Sequence, residues 1–133
     1  MDSFVLDTHP LVLFAAGASG RLGKKARAAF DAFEAERATL YVPAPVVFET
    51  WLLARGGKIT LKTTLGAWWQ TLERAGLQHV PMESLDVIAA SELDWQHRDV
   101  FDRLIVATAQ RLEVPLITGD AEITDWGRVD VHW

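Results

Sequence analysis

Apolar residues along this chain fall in short runs, separated by stretches whose apolar positions recur at helical spacing. Ser3-Phe4-Val5-Leu6-Asp7 is a run too short for a helix, followed at once by the turn signal Thr8-His9-Pro10, and it predicts a buried strand. A short helix is predicted over Pro10–Ala16, since proline is tolerated in a first turn, before Gly17-Ala18-Ser19-Gly20 breaks the chain. Arg21–Glu36 reads as an amphipathic helix, with Leu22, Ala26, Ala29, Phe30 and Phe33 on one face. Leu40-Tyr41-Val42 is a second strand stopped by Pro43, and a helix over Pro45–Arg55 ends at Gly56-Gly57. A helix over Leu61–Ala75, a strand over Gln78–Val80 and helices over Ser84–Leu93 and Val100–Leu112 follow. Pro115–Thr118 is a fourth strand and Val129–His132 a weak fifth. Short apolar strands alternating with helices predict an α/β fold with a mostly parallel sheet of four to five strands, covered on both sides. No repeat, low-complexity tract or linker interrupts it, so residues 1–133 are expected to form one domain.

Composition narrows the chemistry. Half of the residues are hydrophobic and 23% are charged, which is enough to build a core and excludes wholesale disorder. The absence of cysteine excludes a disulfide scaffold, a cysteine-ligated zinc and a thiol nucleophile. The histidines (His9, His79, His97, His132) lack the paired spacing of a histidine-rich zinc site. No apolar run approaches the ~20 residues of a membrane span and no basic-then-apolar leader opens the chain, so a cytoplasmic protein without a membrane partner is expected. The net charge of −5 argues against nucleic acid, but its distribution is uneven. Residues 21–62 carry eight bases and four acids, whereas from residue 83 onward four bases face eleven acids. Ordinary scatter and a basic surface beside an acidic pocket both fit this division.

Two glycine-containing patterns fall short of nucleotide-binding motifs. Ala18-Ser19-Gly20-Arg21-Leu22-Gly23-Lys24-Lys25 has alanine where a P-loop begins with glycine, and Lys25 where it needs Ser or Thr. Gly17, Gly20 and Gly23 miss the dinucleotide spacing, and a loop with a helix start is the better reading.

Four carboxylates stand out instead. Asp7 ends the first strand, where an acid can serve chemistry at the carboxyl edge of a parallel sheet or can cap the next helix. Glu49 is the only charge within Val46–Ala54, a stretch apolar nearly all round that is expected to be buried on most faces. A carboxylate there must raise its pKa, reach water or find a cation, and no Lys or Arg lies within four residues. Asp99 and Asp102 are three apart at a helix start, like an N-cap and its reciprocal partner, and Asp102 is also placed to face a site. Asp120 follows the fourth strand as either a turn residue or a fourth acid. Two acids ending strands and two on adjoining helices can converge on one crevice. Such oxygen-only ligands suit Mg²⁺ or Mn²⁺.

Phe4-Val5-Leu6-Asp7-Thr8-His9, Glu49 after Tyr41-Val42-Pro43, the run Asp99–Ala109 and Leu116-Ile117-Thr118-Gly119-Asp120 together resemble, in order and spacing, the PIN-domain ribonucleases. The similarity is nearest to VapC-type toxins of toxin–antitoxin pairs and covers nearly the whole chain. It implies a three-layer α/β/α fold and a metal-dependent endoribonuclease with Asp7, Glu49, Asp102 and Asp120 as its acidic quartet. Asp7 and Asp102 are expected to bind the metal directly, and Glu49 and Asp120 directly or through water. Thr118, Thr8 and Asp99 are expected to support them. Two departures from the family pattern are Val100, where proline is frequent, and the lack of an obvious Ser or Thr in Pro45–Phe48. Lys24, Lys25, Arg55, Lys58, Lys62 and Arg103 are candidate RNA phosphate contacts. The resemblance also implies a homodimer and a small antitoxin. The six tryptophans are expected mostly in the core, with aromatic residues also favouring interfaces. A catalytically silent RNA-binding or scaffold protein is the competing reading; a missing carboxylate would mark it, and all four are present. A haloacid-dehalogenase-like phosphatase would need a second Asp where His9 stands.

Overall fold

The computed structural model describes residues 1–133. Its elements are β1 (Asp2–Leu6), α1 (Thr8–Ala15), α2 (Lys24–Glu34), β2 (Ala38–Pro43), α3 (Ala44–Arg55), α4 (Leu65–Arg74), β3 (Gln78–Val80), α5 (Ser84–Ser91), α6 (Val100–Leu112), β4 (Leu116–Ile117), α7 (Ala121–Trp126) and β5 (Val131–His132). All five strands are parallel, in the order β3-β2-β1-β4-β5, with Val5 paired to Tyr41 on one side and Leu116 on the other. The crossovers from β1 to β3 step one way across the sheet and those from β3 to β5 step back the other way. Right-handed connections therefore put helices on both faces, giving the three-layer α/β/α architecture. No helix is long and apolar enough to cross a membrane.

The core is built from strand residues apolar on both faces, as a sheet covered twice requires. Val5, Leu6, Leu40, Val42, Leu116 and Ile117 are fully buried, and Leu11, Phe30, Val46, Ile105 and Ile123 meet them from the helices. The strands from β1 to β4 and the longer helices lie close to where the hydrophobic pattern puts them. Local chemistry shifts several boundaries. Thr64 accepts a hydrogen bond from the Ala67 amide, so α4 begins at Leu65 and not Leu61. Ser19–Arg21 forms a separate 3₁₀ turn, which delays α2 to Lys24. Helix α7 was not expected at all; its six residues are too few to show a period, and Asp120 caps it by accepting from the Ile123 amide at 3.1 Å.

Two packing expectations are corrected. Helix α3 is not buried on most faces: Pro45, Val46 and Thr50 are, but Phe48 is 56% exposed and Trp51 and Leu52 lie open beside it. None of the six tryptophans is fully buried; five pack at the margin of the core and Trp51 is exposed. Trp133 is laid against two glycines. A Cβ on Gly119 would come within 2.7 Å of its indole, and one on Gly23 within 2.6 Å, while the Trp133 carbonyl accepts from the Lys25 amide at 3.0 Å.

Candidate active site

The strand order reverses at β1 and β4, so a crevice opens beyond their carboxyl ends, where open α/β sheets bind ligands. Asp7 leaves β1 into this crevice, 4% exposed, and Asp120 follows β4 after a two-residue turn. Glu49 reaches it from the second turn of α3, and Asp102 from the first turn of α6. The structure thus brings together the four acids singled out by sequence.

Hydroxyls link them. One Asp7 oxygen accepts from the Thr8 amide at 2.8 Å and caps α1; the other accepts from the Thr118 hydroxyl at 2.7 Å. Thr118 Oγ1 in turn accepts from the Asp120 amide at 3.0 Å, so one threonine ties the first acid to the fourth. The Thr8 hydroxyl donates to Glu49 Oε1. Asp99 caps α6 by accepting from the Asp102 amide at 2.9 Å. The expected reciprocal bond is not made, because the Asp102 carboxylate turns to His97, with Nε2 2.6 Å from Oδ2. Asp99 caps while Asp102 faces the site.

Electrostatics follow from this crowding. Burial pushes the Asp7 carboxyl up despite its hydrogen bonds from Thr118 and Thr8. Burial likewise raises Glu49, against its bond from Thr8 and with the charge of Asp7 adding to the rise. Asp102 is pushed up to about 7 by burial; the His97 bond opposes this, while Asp7, Asp99 and Asp120 reinforce it. His97 is raised chiefly by its hydrogen bond to Asp102, with the Asp102, Glu122 and Asp99 charges adding to the rise. None of the four acids pairs with a lysine or arginine; the chain's ion pairs involve His97 with Asp102 and Glu122, Arg111 with Asp86, and Arg128 with Asp94.

Crowded carboxylates without a basic partner form a donor set suited to a hard divalent cation. Their side chains do not close into a preformed three-ligand cage. His97 was missed by reading the histidines only against one another. Its signal was its place five residues before Asp102, next to the helix cap.

The candidate phosphate contacts separate into two groups. Lys24, Lys25, Arg55, Lys58 and Lys62 are exposed. Lys24 and Lys25 open α2 beside Trp133, which leans on the turn before Asp120. Arg103 is corrected. Its Nε donates to the Ala90 carbonyl, Nη1 to Trp95 and His97, and Nη2 to Ser91 and Leu93, at 2.6–3.3 Å. All five guanidinium donors are therefore engaged within the chain, and none is left for a phosphate.

Residues 4–129 match the sequence profile of the PIN domain, and the chain belongs to that family. No curated protein matches it in sequence. Among solved structures it resembles VapBC2 from Rickettsia felis, described as bound to a DNA fragment from their promoter, with a TM-score of 0.70, 15% identity and coverage of 98% of each chain. It also resembles VapC20 of Mycobacterium tuberculosis, described as a sarcin-ricin loop cleaving toxin, with a TM-score of 0.66, 14% identity and coverage of 98% of this chain and 99% of that one. PAE2754 from Pyrobaculum aerophilum matches with a TM-score of 0.60 and 16% identity, over 98% of this chain and 83% of that one.

Proposed function

We propose that this protein is a metal-dependent endoribonuclease, acting in the cytoplasm as the toxin of a VapBC-type toxin–antitoxin pair. The observation that carries this reading is the crevice itself: four carboxylates at the carboxyl ends of β1 and β4 and on the adjoining helices, three of them held above their ordinary pKa, with no lysine or arginine to balance them. Asp7 and Asp102 would hold Mg²⁺ or Mn²⁺ directly, and Glu49 and Asp120 directly or through water. A bound ion of this kind supplies polarisation of a phosphoryl oxygen and a water of lowered pKa. Around it the chain's own groups have defined tasks. Thr118 fixes Asp7 and the Asp120 turn, Thr8 orients Glu49, Asp99 sets the start of α6 beneath Asp102, and the His97 ring holds the Asp102 carboxylate by a hydrogen bond. Lys24, Lys25, Arg55, Lys58 and Lys62 would meet RNA phosphates outside the crevice.

A homodimer fits the exposed apolar surface. Phe48, Trp51 and Leu52 on α3, Val100 on α6 and Leu85, Val87 and Ile88 on α5 lie open on three helices, of which α6 packs against the other two. The antitoxin partner rests on the likeness to VapBC2.

With the chain purified free of any partner, cleavage of structured RNAs should require Mg²⁺ or Mn²⁺ and stop in EDTA. Saturating Mn²⁺ at about 100 times its Kd should also stabilise the fold by about 2.7 kcal/mol, read as a raised Tm. Equal cleavage with and without EDTA would overturn the metal-dependent reading. A raised Tm without cleavage of any RNA would favour a silent metal-binding scaffold instead.

A further inference from the structure

The segment joining α5 to α6 has no regular secondary structure between Trp95 and Asp99, yet it is tied down along its length. Arg103 holds the Leu93, Trp95 and His97 carbonyls from below. The Trp126 indole donates to the Asp94 carbonyl at 2.9 Å, and Arg128 pairs with the Asp94 carboxylate at 3.0 Å. The Trp95 ring stacks on Trp126 and tilts against His97, each with centroids 4.7 Å apart. A loop fixed in this way is preorganised and gives up little entropy when it binds.

Above it lies an open polar groove of about 690 Å³, lined by Ser91, Trp95, Gln96, His97, Arg98 and Arg103. No acidic residue lines this groove, although the chain's last third is rich in acids. It also shares a wall with the acidic crevice, because His97 touches Asp102. The apolar hollows between α1 and residues 59–63 and along α5 involve neither His97 nor any of the four acids. With Arg103 engaged as the floor, the groups open to a ligand are Arg98, which enters none of the chain's ion pairs, the exposed Gln96 amide, and the exposed Ser91 hydroxyl as an acceptor, since its hydrogen donates to the Val87 carbonyl at 2.8 Å. A guanidinium beside an amide and a hydroxyl, next to a phosphodiester site, matches a nucleotide: one group for the phosphate, two for a base edge.

We propose that this groove seats the nucleotide adjoining the scissile phosphate, with Arg98 on its phosphate and Gln96 and Ser91 against its base. It thereby sets a sequence preference at one position beside the cut. This rests on the ribonuclease reading, and the experiment has one arm that needs no cleavage.

In the first arm, the full chain with Mg²⁺ cuts a pool of short single-stranded RNAs of mixed sequence. Arg98→Ala should raise KM about tenfold, the loss of one charge-assisted hydrogen bond. Gln96→Ala should flatten the base preference at one position beside the cut and leave the others intact. In the second arm, anisotropy of a short fluorescein-labelled RNA is followed with Ca²⁺ in place of Mg²⁺. Arg98→Ala should weaken binding about tenfold and lower the slope of log K against log salt by about 0.7, whereas Gln96→Ala should leave that slope unchanged. Arg74→Ala removes an equal charge at the end of α4, away from the carboxyl edge of the sheet, and should match the wild type in both arms. An unaltered cut profile and unaltered binding in both groove variants would overturn the proposal. If the wild type cleaves nothing, the ribonuclease reading fails and the anisotropy arm decides: selective loss of binding in the groove variants keeps the subsite, and equal or absent binding removes it.

Discussion

Asp7→Asn should lower metal-dependent RNA cleavage on the order of 10²–10³-fold while leaving the metal-free chain folded and more stable than the wild type near neutral pH. The two effects have opposite signs for one reason: the carboxylate needed for an ion is a liability without it. Asparagine keeps the local structure, since it caps helices as well as aspartate does and still accepts from the Thr8 amide. The Thr118 hydroxyl, which donates to Asp7, can accept from an amide instead. What is lost is a charge in a site where Asp7, Glu49 and Asp102 are all raised. A carboxyl raised on folding binds its proton more tightly in the native state. Its stabilising contribution is complete below the ordinary pKa and is lost as pH climbs through the folded value. For Asp102 that window runs from 3.8 to about 7. Melts in EDTA should therefore show wild-type Tm falling across this window and a shallower fall in Asp7→Asn, because the Asp7 charge is one cause of the rise at Asp102. Undiminished cleavage by Asp7→Asn, or a pH dependence as steep as the wild type's, would refute this account.

Arg103→Met should destabilise the fold by about 3–5 kcal/mol, lowering Tm by about 10–20 °C. The Ala90 and Ser91 carbonyls belong to the last turn of α5, where no intrahelical donor exists. The guanidinium supplies two N–H groups there and a positive charge at the negative end of the helix, and its remaining donors hold three loop carbonyls. Methionine fills similar space but leaves five acceptors without this partner. Arg103→Lys keeps the charge and offers only three donors without the planar fork, so it should recover less than half of the loss. Urea melts of the three chains measure this directly; an Arg103→Met chain within about 1 kcal/mol of wild type would show that water replaces the clamp at little cost.

The acids were legible because each breaks a local rule. Glu49 is a lone charge in an apolar run, Asp7 and Asp120 sit just past strands, and Asp102 lies on a helix whose remaining stripe is apolar. The strands were legible because a doubly covered sheet needs short, wholly apolar runs. Arg103 was misread because charge in a sequence does not say what the charge touches; its partners are carbonyl oxygens, which every residue carries. His97 and α7 were hidden for a related reason. One depends on a contact across a turn, and the other on a cap and six residues with no period to detect. The open apolar face of α3 shows the limit of hydrophobicity as a sign of burial, since surface held for a partner reads the same as core.

The Trp133 indole couples positions far apart in the chain. It leaves no room for a side chain at Gly119, which carries the turn into Asp120, or at Gly23, which opens α2. Substitutions at these three places cannot drift independently. Across related chains, a residue larger than glycine at position 119 should occur only where position 133 has shrunk, whereas position 23 should stay glycine even then, because a Cβ there also meets the residue 133 backbone carbon at 2.7 Å. An alignment with alanine at 119 alongside tryptophan at 133 would contradict this. The turn into the fourth acid would then bear the signature of a correlated pair of positions, 119 and 133, detectable without any assay.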